Sequence, residues 1–164
     1  SRRSDFLDMP AELFEQTVRG TLLGGFHMSQ PVARHMVARG GPGKIVFISS
    51  VQSRIPYVRS SAYNAAKAGL NQMAFTLAAE LVRHRINVNV IEPGWIDTPG
   101  EREAFGERMV AEAGPSLPWG RLGTATDIGR AAVFLTSEAA DYITGTSLLV
   151  DGGFALRAAI GASE

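Results

Sequence analysis

The most informative segment of this chain is residues 49–69, which read SSVQSRIPYVRSSAYNAAKAG. A serine pair ends an apolar run, and after a loop Tyr63 and Lys67 stand at the start of a helix rich in small residues. Because Tyr63 and Lys67 are four positions apart (67 − 63), they lie on one face of that helix. Ser50, thirteen positions before Tyr63 (63 − 50), is expected to reach the same region.

These three side chains predict the interconversion of an alcohol and a carbonyl. A phenol has an ordinary pKa of about 10, and the nearby Lys67 ammonium is expected to lower the pKa of Tyr63. A phenol tuned in this way passes a proton to or from a substrate oxygen. The Ser50 hydroxyl can hydrogen-bond the same oxygen and hold it in place.

The composition is typical of a globular protein and argues against several function classes. The 16 basic and 16 acidic residues balance without a basic stripe, which argues against a nucleic-acid partner. With no cysteine and only three scattered histidines, no metal site is expected. No apolar run reaches the roughly 20 residues of a membrane span, and no apolar segment near residue 1 is typical of a secretion signal. These features favour a cytoplasmic location.

Hydrophobic periodicity predicts strands that alternate with helices, and hence one α/β domain over residues 1–164 with a parallel sheet. Buried strands are predicted at residues 44–49, 87–91 and 146–150. Helices are predicted from Pro10, with Asp8 as the cap, to Arg39, over residues 61–84 and 101–113, and from Thr124 or Thr126 to Leu135. The first helix is expected to bend or break at Gly24-Gly25 or at Pro31.

Ser50, Tyr63 and Lys67 at this spacing resemble the active-site segment of the short-chain dehydrogenase/reductase family. The resemblance implies a Rossmann-like, doubly wound parallel sheet and hydride transfer between NAD or NADP and a secondary alcohol or ketone. It implies that Tyr63 is the general acid and base and that Ser50 positions and polarises the substrate oxygen. Lys67 would lower the pKa of Tyr63 and bind the nicotinamide ribose, and Tyr63 would also contact the cofactor.

Two later segments also resemble the family. Residues 93–98, PGWIDT, are similar to its Pro-Gly turn after a buried strand, which implies that Pro93, Gly94, Ile96 and Thr98 hold the nicotinamide end of the cofactor. Residues 144–153, TGTSLLVDGG, are similar to its last strand, which often lies at a subunit interface. A homodimer or homotetramer built on the two long helices is therefore expected.

Two features depart from the family's pattern. Thr21 stands where the family has an asparagine that helps to hold a water beside the active-site lysine. No Gly-x-Gly-x-x-Gly turn is present, and Gly41 and Gly43 precede a strand rather than follow one. The chain thus resembles a C-terminal catalytic portion. The dinucleotide-binding strands and the residue that selects NAD or NADP are expected in roughly ninety further residues upstream.

The substrate side most resembles the glucose 1-dehydrogenase-like branch, through residues 49–51, 55–56, 96–99 and 117–120. Gln52 replaces a histidine of the glucose enzymes, and Gln52 and Trp95 are expected to line the substrate with Ser50 and Tyr63. Two alternatives stay open. One is a 3-oxoacyl-thioester reductase of the same family, and the other is a truncated, non-catalytic remnant used for binding or assembly.

Overall fold

Three parallel strands form the centre of the protein, of which the computed structural model describes residues 3–161. The strands are β1 (Gly43–Ile48), β2 (Ile86–Pro93) and β3 (Ser147–Val150), in the order β1-β2-β3. Gly43 pairs with Ile86 at one end of the sheet, and Pro93 pairs with Val150 at the other. All three predicted strands are confirmed, each within two residues of its predicted bounds.

Seven helices are found among the described residues: α1 (Ala11–Val18), α2 (Gly24–Arg39), α3 (Ser61–Leu81), α4 (Pro99–Phe105), α5 (Glu107–Ala113), α6 (Ala125–Thr136) and α7 (Arg157–Gly161). The start of α6 is as predicted, because Thr124 and Asp127 form a reciprocal capping box. The single helix predicted over residues 101–113 is wrong. Gly106, with a φ of 89°, separates α4 from α5 there.

The long first helix is also interrupted, in a segment that contains Gly20 and ends directly before Gly24-Gly25. Residues 19–23 form a π-helical segment between α1 and α2, whereas Pro31 lies inside α2 without ending it. Asp8 is not the cap, because Pro10 takes the N-cap position of α1 and no side chain bonds to the helix end there. Thr21 lies in the π-helical segment, which packs against α3.

Helices cover both faces of the sheet, which confirms the Rossmann-like, doubly wound class. On one face, Phe47, Val88 and Val90 pack against α3. On the other face, Ile91 packs against Leu135 of α6. The central strand β2 is buried along its whole length, as expected for a strand with a helix layer on each side.

Only β2 has a strand on both sides in the described part of the chain. The free edge of β1 ends at Ile48, whose side chain is exposed. An open edge of this kind is a surface for pairing or covering by further chain. Between residues 3 and 161, none of the helices is both long and apolar enough to cross a membrane.

Candidate functional site

The carboxyl ends of β1 and β2 bring the sequence-predicted site residues together. Parallel strands place their carboxyl ends at one edge of the sheet, where ligands of doubly wound proteins bind. Ser50 follows β1, and the Pro93-Gly94 turn ends β2. Helix α3, which carries Tyr63 and Lys67, crosses from β1 to β2 and packs on both strands.

Ser50 is held by the first turn after β1. Its backbone is extended, and its hydroxyl accepts a hydrogen bond from Gln52 N at 3.2 Å, which caps the short 3₁₀ turn Val51–Ser53. The Ser50 side chain is buried, and its hydroxyl is near enough to the Tyr63 phenol to lower the pKa of that phenol. The two groups expected to share one substrate oxygen are therefore neighbours.

Lys67 lies beside Tyr63 on the same face of α3. The Lys67 Nζ is 5.5 Å from the centre of the Tyr63 ring and donates a hydrogen bond to Ile48 O at 2.8 Å. The Ser49 hydroxyl donates to Lys67 O at 3.3 Å, so the end of β1 holds this turn of α3 at two points. Burial lowers the pKa of the Lys67 ammonium.

The expected direction of the Tyr63 shift is wrong for this chain on its own. Burial raises the pKa of the Tyr63 phenol, and the negative charge of Glu101 raises it further. The hydrogen bond from Ser50 lowers it by less, so the pKa lies above the ordinary value. The Lys67 amine is turned to Ile48 O, and its pull on the phenolate does not overcome the loss of water.

The raised pKa of Tyr63 gives a prediction for the protein without bound nicotinamide. The folded state favours the uncharged phenol, so its contribution to the free energy of unfolding is fully present below pH 10 and lost as the pH rises through the folded pKa. Subtracting the phenolate absorbance titration of Tyr63→Phe from that of the wild type should give a midpoint above the ordinary phenol pKa of about 10. A difference curve with its midpoint below that value would contradict the prediction.

The Pro93-Gly94 turn requires a glycine because the end of a neighbouring strand leaves no room for a side chain. A Cβ on Gly94 would lie 2.7 Å from Asp151 Cα, so Gly94 is required by the end of β3. Ile96 forms a single parallel bridge with Gly123, in which Gly123 N donates to Trp95 O and Asp97 N donates to Gly123 O. In a parallel bridge of this kind the backbone N–H and C=O of Ile96 itself point away from Gly123.

This arrangement fits the nicotinamide end of the cofactor. A carboxamide has one acceptor and one donor group, which match the N–H and C=O of Ile96. The Thr98 hydroxyl accepts from Glu101 N at 3.2 Å, caps α4 and keeps its own proton to donate. The neighbouring Arg102 is not available for a phosphate, because it is paired with both Asp97 and Glu107.

Gln52 and Trp95, the residues expected on the substrate side, are each held by a polar neighbour. When the Asn64 amide is oriented to satisfy its neighbours, its nitrogen donates to Gln52 Oε1 at 2.9 Å and its oxygen accepts from Tyr57 N at 3.0 Å. Across from this loop, the Trp95 indole donates to Glu101 Oε2 at 2.9 Å, and its ring meets Phe105 edge-on at 5.8 Å. These contacts fix α4 to the residue that follows the Pro93-Gly94 turn.

Sequence reasoning missed Asn64 and Glu101. Asn64 follows Tyr63 directly, and Glu101 lies three residues after the Thr98 cap, so position alone offered a weak signal for each. Thr21 is less informative, because in residues 3–161 its hydroxyl makes no hydrogen bond to Ser50, Tyr63 or Lys67. No group of three or more acidic or histidine side chains suited to a metal ion was found in the same range.

Comparison with known proteins identifies the family. A family model described as enoyl-(acyl carrier protein) reductase matches residues 1–155, and the chain belongs to the short-chain dehydrogenase/reductase family. It is 41% identical over 154 residues to the uncharacterized oxidoreductase YohF of Escherichia coli K12, which covers 94% of this chain and 60% of that protein. It is 37% identical over 150 residues to the NAD-dependent glycerol dehydrogenase of Listeria innocua, which covers 92% of this chain and 59% of that protein.

A solved structure shows the same fold with a cofactor. The gluconate 5-dehydrogenase from Burkholderia cenocepacia, in complex with NADP and tartrate, superposes with a TM-score of 0.87 at 33% identity. The match covers 94% of this chain and 61% of that one. The chain therefore spans about 60% of the length of the relatives it matches.

Proposed function

We propose that residues 1–164 form the C-terminal catalytic part of one domain in an NAD(P)-dependent oxidoreductase that interconverts a secondary alcohol and a ketone. One observation carries the proposal. The Ser50 hydroxyl lies near enough to the Tyr63 phenol to lower its pKa, and the amine of Lys67 lies 5.5 Å from the Tyr63 ring at the carboxyl edge of the sheet. Membership of the short-chain dehydrogenase/reductase family supports the same reaction class.

The bound nicotinamide supplies or accepts the hydride, and the side chains of this chain handle the proton. In alcohol oxidation, the Tyr63 oxygen takes the hydroxyl proton as the substrate C–H bond breaks, and it must be ionised to do so, although burial in this chain alone raises the pKa of the phenol. In ketone reduction, the neutral phenol returns that proton to the carbonyl oxygen. Ser50 donates a hydrogen bond to the reacting oxygen in both directions. Lys67 favours the ionised form of Tyr63.

The residues for the nicotinamide end are Pro93, Gly94, Ile96 and Thr98, with Lys67 on the ribose. The backbone groups of Ile96 and the hydroxyl of Thr98 supply donors and an acceptor on one side of the proposed ring position. Either NAD or NADP suits these contacts, because none of them reaches the adenine ribose, where the two cofactors differ.

A small polyhydroxylated substrate is the class we favour. Gln52 presents an amide in the loop after Ser50, and the charge of the Glu101 carboxylate reaches Tyr63. Amides and carboxylates bind hydroxyls through paired hydrogen bonds. The relatives named for glycerol and gluconate act on compounds of this kind. The description of the matching family model keeps an acyl-thioester substrate as the second candidate.

The test is a reduced-nicotinamide absorbance assay on the whole protein that contains this sequence. Glycerol, gluconate and a sugar lactol are offered with NAD and with NADP, beside acetoacetyl thioester with the reduced cofactors. Turnover of a polyol supports the proposal, and turnover of the thioester alone moves the enzyme to the second candidate. No turnover, together with no thermal shift on adding either cofactor, would favour the non-catalytic remnant.

A homodimer or homotetramer in the cytoplasm completes the proposal. Large apolar side chains remain exposed along α1 and α2, among them Phe14, Phe26 and Val32. Contact with a second copy would bury these side chains. Native mass measurement of the whole protein tests the assembly.

A further inference from the structure

Glu92, the residue before Pro93 in β2, is a buried carboxylate that the steps above do not use. Its exposed fraction is 0%. Asn71 Nδ2 donates to Glu92 Oε1 at 2.5 Å, and Ser53 Oγ donates to the same oxygen at 3.0 Å. Arg54 Nε lies 2.5 Å from Oε2 in an ion pair, although 55% of the Arg54 side chain is exposed. We call Ser53, Arg54, Asn71 and Glu92 the Glu92 cluster.

The Glu92 cluster joins the loop that carries Ser50 to the helix that carries Tyr63. Ser53 Oγ lies 2.7 Å from Ser50 O and accepts from Asn71 Nδ2 at 2.9 Å. Its single proton is therefore shared between the Ser50 carbonyl and the Glu92 carboxylate. Asn71 lies two helical turns after Tyr63 on the same face of α3, since the two are eight positions apart (71 − 63).

Stability alone does not account for these contacts. Burial raises the pKa of the Glu92 carboxyl, but contacts with Arg54, Ser147 and Ser53 outweigh burial and lower that pKa. Even so, an apolar group of similar size would stabilise the core as well. The cluster also leaves Asn71 Oδ1 buried without a hydrogen bond to any described residue. What the cluster does provide is a fixed geometry, because it ties β2 at once to the Ser50 loop and to α3.

We propose that Glu92 is a positioning residue, whose carboxylate holds the Ser50 loop on α3 so that Ser50 and Tyr63 reach one substrate oxygen. The kinetic consequence rests on the proposed function, whereas the effect on the loop does not. Small displacements of a catalytic group cost large factors in rate, so loosening this loop should lower kcat more than it weakens cofactor binding.

The test combines hydrogen exchange with kinetics on Glu92→Gln and Ser53→Ala in the whole protein. Amide exchange at Ser53, Arg54 and Ile55, which bond to Ser50 O and Val51 O, should become about tenfold faster. The kcat should fall about tenfold, with KM for the cofactor changed less than about twofold. Asp141→Asn is the matched control. It removes a carboxylate paired with Arg85 near the opposite edge of the sheet and should leave exchange and kcat unchanged.

Each outcome decides the proposal. If a folded Glu92→Gln protein keeps the wild-type loop exchange and kcat, the proposal is overturned. A lower melting temperature with unchanged exchange and kcat would also overturn it, because the role of Glu92 would then be one of stability alone. If Glu92→Gln does not fold, Ser53→Ala is judged by the same two readouts. If the wild type shows no nicotinamide-linked activity, the proposed function fails, and the exchange data alone then support or overturn the loop contact.

Discussion

Tyr63→Phe should lower kcat of the whole protein by about a hundredfold or more, because it removes the group that exchanges a proton with the substrate. The ring stays, so the packing of this turn of α3 and the contact with the Lys67 stem are kept. The Ser50 hydroxyl loses its partner but keeps the hydrogen bond from Gln52 N. Cofactor affinity, measured by fluorescence titration, should therefore change little while turnover is lost.

Tyr142→Phe is the control for this substitution. Tyr142 is fully exposed, so the same loss of a hydroxyl there should leave kcat and cofactor affinity at wild-type values. If Tyr63→Phe turns over at the wild-type rate, the assignment of Tyr63 as the acid and base is wrong. A large loss in both variants would point to an effect of folding rather than of proton transfer.

Local sequence signals account for much of the fold. The apolar, β-branched runs mark β1 and β2 because helices cover both faces of the sheet, so each strand has apolar residues on both faces. The Thr124 cap predicts the start of α6, since its hydroxyl serves the free N–H of Asp127. The four-residue spacing of Tyr63 and Lys67 predicts that they share one helix face, because it is close to one helical turn.

Features that depend on contacts distant in sequence could not be predicted. The pKa of Tyr63 depends on burial and on Glu101, neither of which its own segment reveals. In the sequence, Glu92 is simply a polar residue before a turn. Only the folded chain places Asn71 and Ser53 in hydrogen-bonding contact with its carboxylate. The π-helical segment at residues 19–23 likewise replaces a bend that local rules assigned to Gly24-Gly25 or Pro31.

Gly94→Ala should lower the free energy of unfolding by about 1–3 kcal/mol, the usual cost of forcing an atom into packed space. The new Cβ would lie 2.7 Å from Asp151 Cα and 3.0 Å from Asp151 O, which are backbone atoms with no rotamer to change. Asp151 is itself fixed, because its carboxylate accepts from Gly153 N and Ala155 N. The ends of β2 and β3 must therefore separate, although Gly94 N bonds Val150 O at 3.1 Å.

Urea unfolding of the whole protein measures this effect, with Gly129→Ala as the control. Gly129 lies inside α6, and a Cβ there would meet nothing within 4 Å, so alanine should stabilise the helix by about 0.5–1 kcal/mol. Gly94 lies two residues before Ile96, which is proposed to hold the nicotinamide. Gly94→Ala should therefore also raise KM for the cofactor, whereas Gly129→Ala should not. Opposite shifts in unfolding midpoint would show that the turn is shaped by Asp151, and a Gly94→Ala protein as stable as the wild type would refute that explanation.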